Sequence, residues 1–148
     1  FYLSVRQLPL ADVLAFLKPW FEDNDSPKIA QNAKYDLHVM ANHDVWVKGL
    51  FEDTMLTSYI LEAHKPHGMD ALALRWLNYN TIKYEEVAGK GASQITFDQV
   101  PIDTATKYAA EDAEVTLRLA HALKAASSDS IVRASISASG RSTARPSA

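Results

Sequence analysis

The stretch over residues 103–126 constrains the fold more than any other. Its centre reads Lys107-Tyr-Ala-Ala-Glu-Asp-Ala-Glu-Val-Thr-Leu-Arg-Leu-Ala-His121, and no Gly or Pro interrupts it, so good helix formers continue for several turns. Asp103 is placed to cap this helix, because a carboxylate ahead of the first turn accepts from backbone N–H groups that lack partners. Ala109, Ala113, Thr116 or Leu117, Ala120 and Leu123 recur at three- and four-residue steps, which predicts one apolar stripe against a core. Tyr108 and Asp112 fall on the flank of that stripe, one turn apart on a single face. A phenol and a carboxylate then share a site, a pairing that many helices contain for structural reasons alone.

Composition narrows the chemistry. A chain of 148 residues, 47% of them hydrophobic, suits one domain with a real core. Its apolar runs fall short of the roughly 20 residues that span a bilayer. Zero cysteines exclude disulfides, thiolate zinc sites, iron–sulfur clusters and cysteine nucleophiles, and are compatible with a reducing cytoplasm. Any metal must use oxygen or imidazole. The net charge of −3 gives no global basic field for nucleic acid; the acidic residues are a solvated surface or, alternatively, carboxylates gathered around divalent cations.

Along the chain, residues 1–6 read as a strand and residues 9–23 as a helix that Pro19 must disturb or end late. A turn at Asn24-Asp-Ser-Pro27 leads to a short strand at residues 28–32 and an amphipathic run from Ala33. Asp36 thus falls at a strand-to-helix transition, where a side chain is held rigidly yet open to solvent. Residues 49–52 read as another extended piece, with Asp53 and Thr54 capping a helix through Met55, Leu56, Tyr59 and Ile60, and Asp70 capping a further short one. Residues 78–101 read as a long structured loop, of the kind more often functional than ornamental. Residues 126–148 contain eight serines and three arginines among few large apolar side chains, and are expected to be disordered. Met40, Met55, Tyr59, Trp76 and Leu117 are expected in the core, and His64 and His67 in surface or hydrogen-bonding roles. Alternating strands and helices argue an α/β layer architecture.

Oxygen ligands from Asp36 and Asp112, one at a strand end and one on the long helix, suit hard cations such as Mg²⁺ or Mn²⁺. Tyr108, with an ordinary pKa of about 10, would stay neutral and orient a water rather than deprotonate it.

Several separate stretches resemble the proofreading 3′-5′ exonuclease domain of bacterial DNA polymerase I: Lys28-Ile-Ala-Gln-Asn-Ala-Lys-Tyr-Asp36, Asp53-Thr-Met-Leu-Thr-Ser-Tyr-Ile-Leu61, His67-Gly-Met-Asp-Ala-Leu-Ala-Leu-Arg-Trp-Leu77, Glu85-Glu-Val-Ala-Gly-Lys-Gly91, Gln94-Ile-Thr-Phe97 and Tyr108-Ala-Ala-Glu-Asp-Ala-Glu-Val-Thr116. They occur in the order and at the spacings of that family. The resemblance implies a DEDD exonuclease of the tyrosine subtype on a ribonuclease H-like fold, a mixed sheet flanked by helices. It implies Asp112 as a ligand of the tightly held metal, Asp36 as holder of the second ion largely through water, and Tyr108 as the residue that positions the attacking water. Gln31, Asn32 and Tyr35 would line the path of a single-stranded DNA 3′ end, and Tyr84 would pack against the strand. Lys90 and Gly91 stand near family substrate contacts, where phosphate binding and simple turn formation are equally open.

The resemblance also implies an Asp-x-Glu motif on a first strand, and none occurs before Lys28. The first two strands of the sheet are therefore expected to be missing, with residues 1–125 a partial exonuclease domain of a polymerase in a bacterial cytoplasm. Three expectations follow: a two-metal exonuclease, weak or inactive alone; a non-catalytic relic that binds single strands or supports the polymerase; or an unstable truncated product.

Overall fold

The computed structural model describes residues 8–139, with side chains to residue 129. The strand expected at residues 1–6 and the tail beyond residue 139 lie outside the described residues. Six α-helices and two strands follow in the order α1 (Leu10–Phe21), β1 (Lys28–Ala30), α2 (Ala33–Ala41), β2 (Leu50–Asp53), α3 (Thr54–Glu62), α4 (Met69–Leu77), α5 (Tyr84–Ala88) and α6 (Ile102–Ser139), with short 3-10 turns at Gly91–Ser93 and Phe97–Gln99. The architecture is α/β. The two strands run parallel, joined by the crossover through α2 that parallel pairing requires. Among the described residues the sheet is thus parallel rather than mixed.

Pro19 sits inside α1, which ends two residues later at Phe21. The missing N–H costs one bond near a C-terminus where the ladder is already running out. Lys48 N–H then donates to Phe21 O, and Lys28 N–H to Gly49 O at 2.8 Å, which seats the start of β1 on the residue before β2. Gly49 has φ +67°, and a Cβ there would lie 2.6 Å from Ser26 O; only glycine permits this approach.

The main core forms where α6 crosses α4 and α3. Leu72, Ala73, Val115, Leu119 and Leu123 are fully buried, with Leu61, Met69, Trp76, Leu77 and Tyr79 packed around them. Each such leucine contributes about 1.5–3 kcal/mol by leaving water. A second cluster joins Ala88, Val100 and Ala105, with Val87 and Phe97 against it.

Several elements depart from expectation. The buried face of α6 carries Ala105, Val115, Leu119, Ala120 and Leu123, whereas Leu117 is 48% exposed and Ala113 is exposed. Extended upstream at helical spacing, that face passes through Tyr108 and Asp112, so the pair lies on the buried stripe rather than its flank. Asp103 is in the first turn of α6 instead of capping it. Asp70 likewise lies in the first turn of α4, whose N-cap is Gly68. Tyr59 is 49% exposed, with its ring stacked on His67 at 3.5 Å rather than enclosed in the core. His67 itself is buried and has the hydrogen-bonding role expected of it, facing Ser58 Oγ through Nδ1 at 2.8 Å. Residues 78–101 contain α5 and both 3-10 turns. Where disorder was expected from residue 126, α6 continues to Ser139: Ala125, Ala126, Ala134 and Ala138 with no intervening Gly or Pro prolong the ladder.

Candidate active site

Asp36 lies in the first turn of α2, just after the end of β1. Its carboxyl is held above the ordinary value, first by burial and then by the charge of Asp53. Asp112 comes from α6 and is pushed up to about 6 by burial and by the negative charges of Glu111 and Asp70, with the Tyr108 hydroxyl acting in the opposite direction. Its Oδ1 is buried and has no hydrogen-bond partner among the described residues. Both carboxylates line one cleft of about 740 Å³, walled by apolar side chains including Phe21, Ile29, Leu37 and Met40. Each shift has its own cause, partial burial beside Asp53 for Asp36 and partial burial beside Glu111 and Asp70 for Asp112, and both causes disfavour the charged form.

Tyr108 stands one turn before Asp112 and is pushed up to about 12, chiefly by burial and then by the charges of Asp112 and Asp70. It is neutral at any physiological pH and can donate a hydrogen bond. Its ring lies 5.8 Å from that of Phe97 and 6.2 Å from that of Tyr84, distances at which aromatic edges and faces attract. Tyr84, expected to meet a single strand, is thus also a wall for Tyr108, with 40% of its surface exposed.

Gln31 lines the same cleft as Asp36 and Asp112. Its Nε2 donates to His67 O at 3.0 Å and its Oε1 faces the Thr54 hydroxyl. Asn32 adopts a left-handed backbone conformation immediately before α2. Tyr35 is 69% exposed, and Asn32, Tyr35, Tyr84 and Tyr108 are not in the lining of the cleft. The structure therefore brings Gln31, Asp36 and Asp112 together, places Tyr108 beside Asp112 and Tyr84 beside Tyr108, and leaves Asn32 and Tyr35 on the surface. Lys90 pairs with Glu85 at 3.0 Å, and Gly91 takes φ +60°, the conformation of a turn.

Two further carboxylates, Glu111 and Asp70, lie near Asp112. Glu111 accepts from Tyr79 Oη at 2.6 Å and from Ile82 N–H at 2.7 Å, which fastens the segment after α4 to α6. Asp70 accepts from Thr81 Oγ1 at 2.7 Å and pairs with Lys83 Nζ at 2.8 Å. Burial works to raise Asp70, but these partners outweigh it and hold the group lowered, so its charge persists beside Tyr108 and Asp112. The adjacency of Glu111 to Asp112 was the one signal in the sequence; Asp70 gave none beyond its resemblance to a cap.

The donor set fits a hard cation in part. Two raised carboxylates and an unpartnered buried oxygen suit Mg²⁺-type coordination, while among the described residues no group of three or more His, Asp or Glu side chains is placed to share an ion. Also among those residues, no helix is long and apolar enough to cross a membrane.

Known proteins are similar to this chain along most of its length. The sequence model of a 3′-5′ exonuclease family matches residues 2–126. DNA polymerase I of Pseudomonas aeruginosa is 50% identical over 126 residues, covering 82% of this chain and 14% of that protein. DNA polymerase I of Rhizobium leguminosarum is 47% identical over 123 residues, covering 82% of the chain and 12% of the relative. A solved structure of the POL domain of Pol1 from M. smegmatis, in complex with DNA primer-template and dNTP, superposes with a TM-score of 0.58 at 25% identity, over 82% of this chain and 18% of that one. The chain thus spans about one seventh of the length of its curated relatives. With a family match across most of its length and half of the aligned residues shared with a DNA polymerase I, this chain belongs to the 3′-5′ exonuclease family.

Proposed function

We propose that this chain supplies one wall of a 3′-5′ exonuclease centre that hydrolyses the terminal phosphodiester of a single-stranded DNA 3′ end, as the proofreading part of a bacterial, cytoplasmic DNA polymerase. The observation that carries the reading is the convergence of Asp36 and Asp112, from separate elements, on one cleft, in a chain whose family is that of 3′-5′ exonucleases. A ribonuclease H-like sheet completed by further strands is the fold this reading implies.

Asp112 and Asp36 are the residues that would hold divalent metal, Mg²⁺ or Mn²⁺, which when bound supplies charge for the phosphate oxygens and lowers the pKa of water. Tyr108, held neutral at about 12, is suited to orient the attacking water by donating or accepting one hydrogen bond, and not to act as the base. The packing of Phe97 and Tyr84 on its ring restricts where that hydroxyl points. Gln31, Asn32 and Tyr35 supply polar and stacking contacts for the terminal nucleotides, and the exposed portion of Tyr84 offers a face that accepts any base.

The test compares the 148-residue chain with the same residues 2–126 exchanged into the matching segment of the Pseudomonas relative, both incubated with a 3′-labelled single strand and Mg²⁺ or Mn²⁺. The exchanged protein is expected to release mononucleotides from the 3′ end, with Asp112→Ala reducing the rate about 10³-fold. The chain by itself is expected to release little, because two carboxylates make half of a four-carboxylate set. Failure of a folded, polymerase-active exchange protein to release nucleotides would overturn the exonuclease reading.

A further inference from the structure

Asp53 and Thr54 stand at the junction of β2 and α3, outside the cleft lining. The Asp53 carboxylate accepts three backbone N–H groups. Met55 N–H donates to Oδ1 at 3.0 Å, an ordinary N-cap for α3. The other two donors belong to a different helix: Asn32 N–H reaches Oδ1 at 3.0 Å and Ala33 N–H reaches Oδ2 at 2.9 Å. One side chain therefore accepts from the open N-termini of both α3 and α2, through charge-assisted bonds to both of its oxygens.

Thr54 adds a second hold on the same segment. It is fully buried, and its single hydroxyl proton is shared between Ala30 O at 3.2 Å and Gln31 Oε1. Residues 30–33 are thus tied at four consecutive positions to one dipeptide on the neighbouring strand. The tie is needed because Asn32 holds φ +59° and ψ +48°, a left-handed conformation that asparagine tolerates but that remains uncommon outside glycine. Tyr35 and Asp36 follow within the next turn, so the direction in which α2 leaves β1 sets where they point.

We propose that Asp53 and Thr54 act as a positioning clamp for the site: by gripping residues 30–33 they fix the Gln31 side chain and the first turn of α2, and with it Tyr35 and Asp36, against the 3′-terminal nucleotides. That these residues meet a DNA 3′ end rests on the exonuclease reading; the clamp itself does not. Neither residue touches substrate. Both act through groups on β1 and α2.

Two substitutions separate the clamp from simple capping. Asp53→Ser keeps a hydroxyl for the α3 cap but is too short to span to Asn32 and Ala33, whereas Asp53→Asn keeps the Oδ1 bonds. Thr54→Val preserves volume and deletes the hydroxyl. In the full 148-residue chain, amide exchange at Asn32 and Ala33 is measured by NMR, together with thermal melting and anisotropy of a fluorescein-labelled single strand in Ca²⁺. Asp53→Ser is expected to speed exchange at both amides at least about tenfold, with a melting temperature close to that of Asp53→Asn. It should weaken strand binding about tenfold, as should Thr54→Val, while Asp53→Asn recovers most of the loss. The double variant Asp53→Ser with Thr54→Val should bind little worse than the weaker single, since both act on one segment. Unchanged exchange in Asp53→Ser overturns the clamp, and so does faster exchange with strand binding unmoved. Absence of strand binding by the unsubstituted chain counts against the exonuclease reading instead, and the clamp is then decided by the exchange rates.

Discussion

The raised carboxyl of Asp112 makes the chain's stability depend on pH in a direction opposite to that of a salt-bridged aspartate. Its folded value of about 6 lies above the ordinary 3.8, so the folded state binds the proton more tightly than the unfolded one. Stability is therefore lost as pH rises from about 4 through 6 and stays lost above that range. In EDTA, Asp112→Asn should raise stability at pH 7.5 by roughly 1 kcal/mol, after allowance for screening of a half-exposed group, and leave it unchanged below pH 4; denaturant melts at the two pH values read this. Tyr108→Phe keeps the ring against Phe97 and Tyr84 but deletes the donor. In the exchange protein it should lower kcat by about 10–100-fold with KM within about threefold, measured on the labelled strand. At this scale the sequence was partly legible: Asp36, Asp112 and Tyr108 stand at recognisable spacings. The setting that shifts their pKa values was less so: Glu111 adjoins Asp112 in the chain, but Asp70 reaches Asp112 and Tyr108 from α4 and Asp53 reaches Asp36 from the end of β2, contacts that no local pattern encodes.

Among the elements, α6 joins the core to the site. Val115, Leu119 and Leu123 bury one side of it against α4, and Tyr108 and Asp112 continue the same side toward the cleft. Leu119→Ala should accordingly cost about 2–5 kcal/mol in a denaturant melt, the range for a leucine with no room to collapse around it. Helix existence was legible here from the run of helix formers, and Ala120 and Leu123 are buried as expected, but Ala113 and Leu117 are exposed and the upstream part of the face was misread. Ala113 and Leu117 fit a three-four spacing as well as Val115 and Leu119 do, and periodicity alone does not choose between neighbouring stripes. Caps were misread for a related reason: an aspartate near a helix start has the composition of a cap whether it sits before the first turn, as Asp53 does, or within it, as Asp70 and Asp103 do. The short α5 lay hidden just ahead of Gly89 and Gly91, since five residues are too few for a periodic signal.

For the whole molecule, the family was legible because six separated motifs keep their order along the chain, whereas the two-stranded parallel sheet and the cleft depend on what packs against what. At the cleft, Asp36 arrives through β1 and α2 and Asp112 through α6, and as proposed they serve one centre. Groups that act as a unit are strongly non-additive. The decisive measurement is the single-turnover rate of 3′-mononucleotide release by the exchange protein carrying Asp36→Ala, Asp112→Ala, or both. If the two carboxylates serve one centre, the double variant is within about threefold of the slower single variant. Losses that multiply would show two independent sites and contradict it.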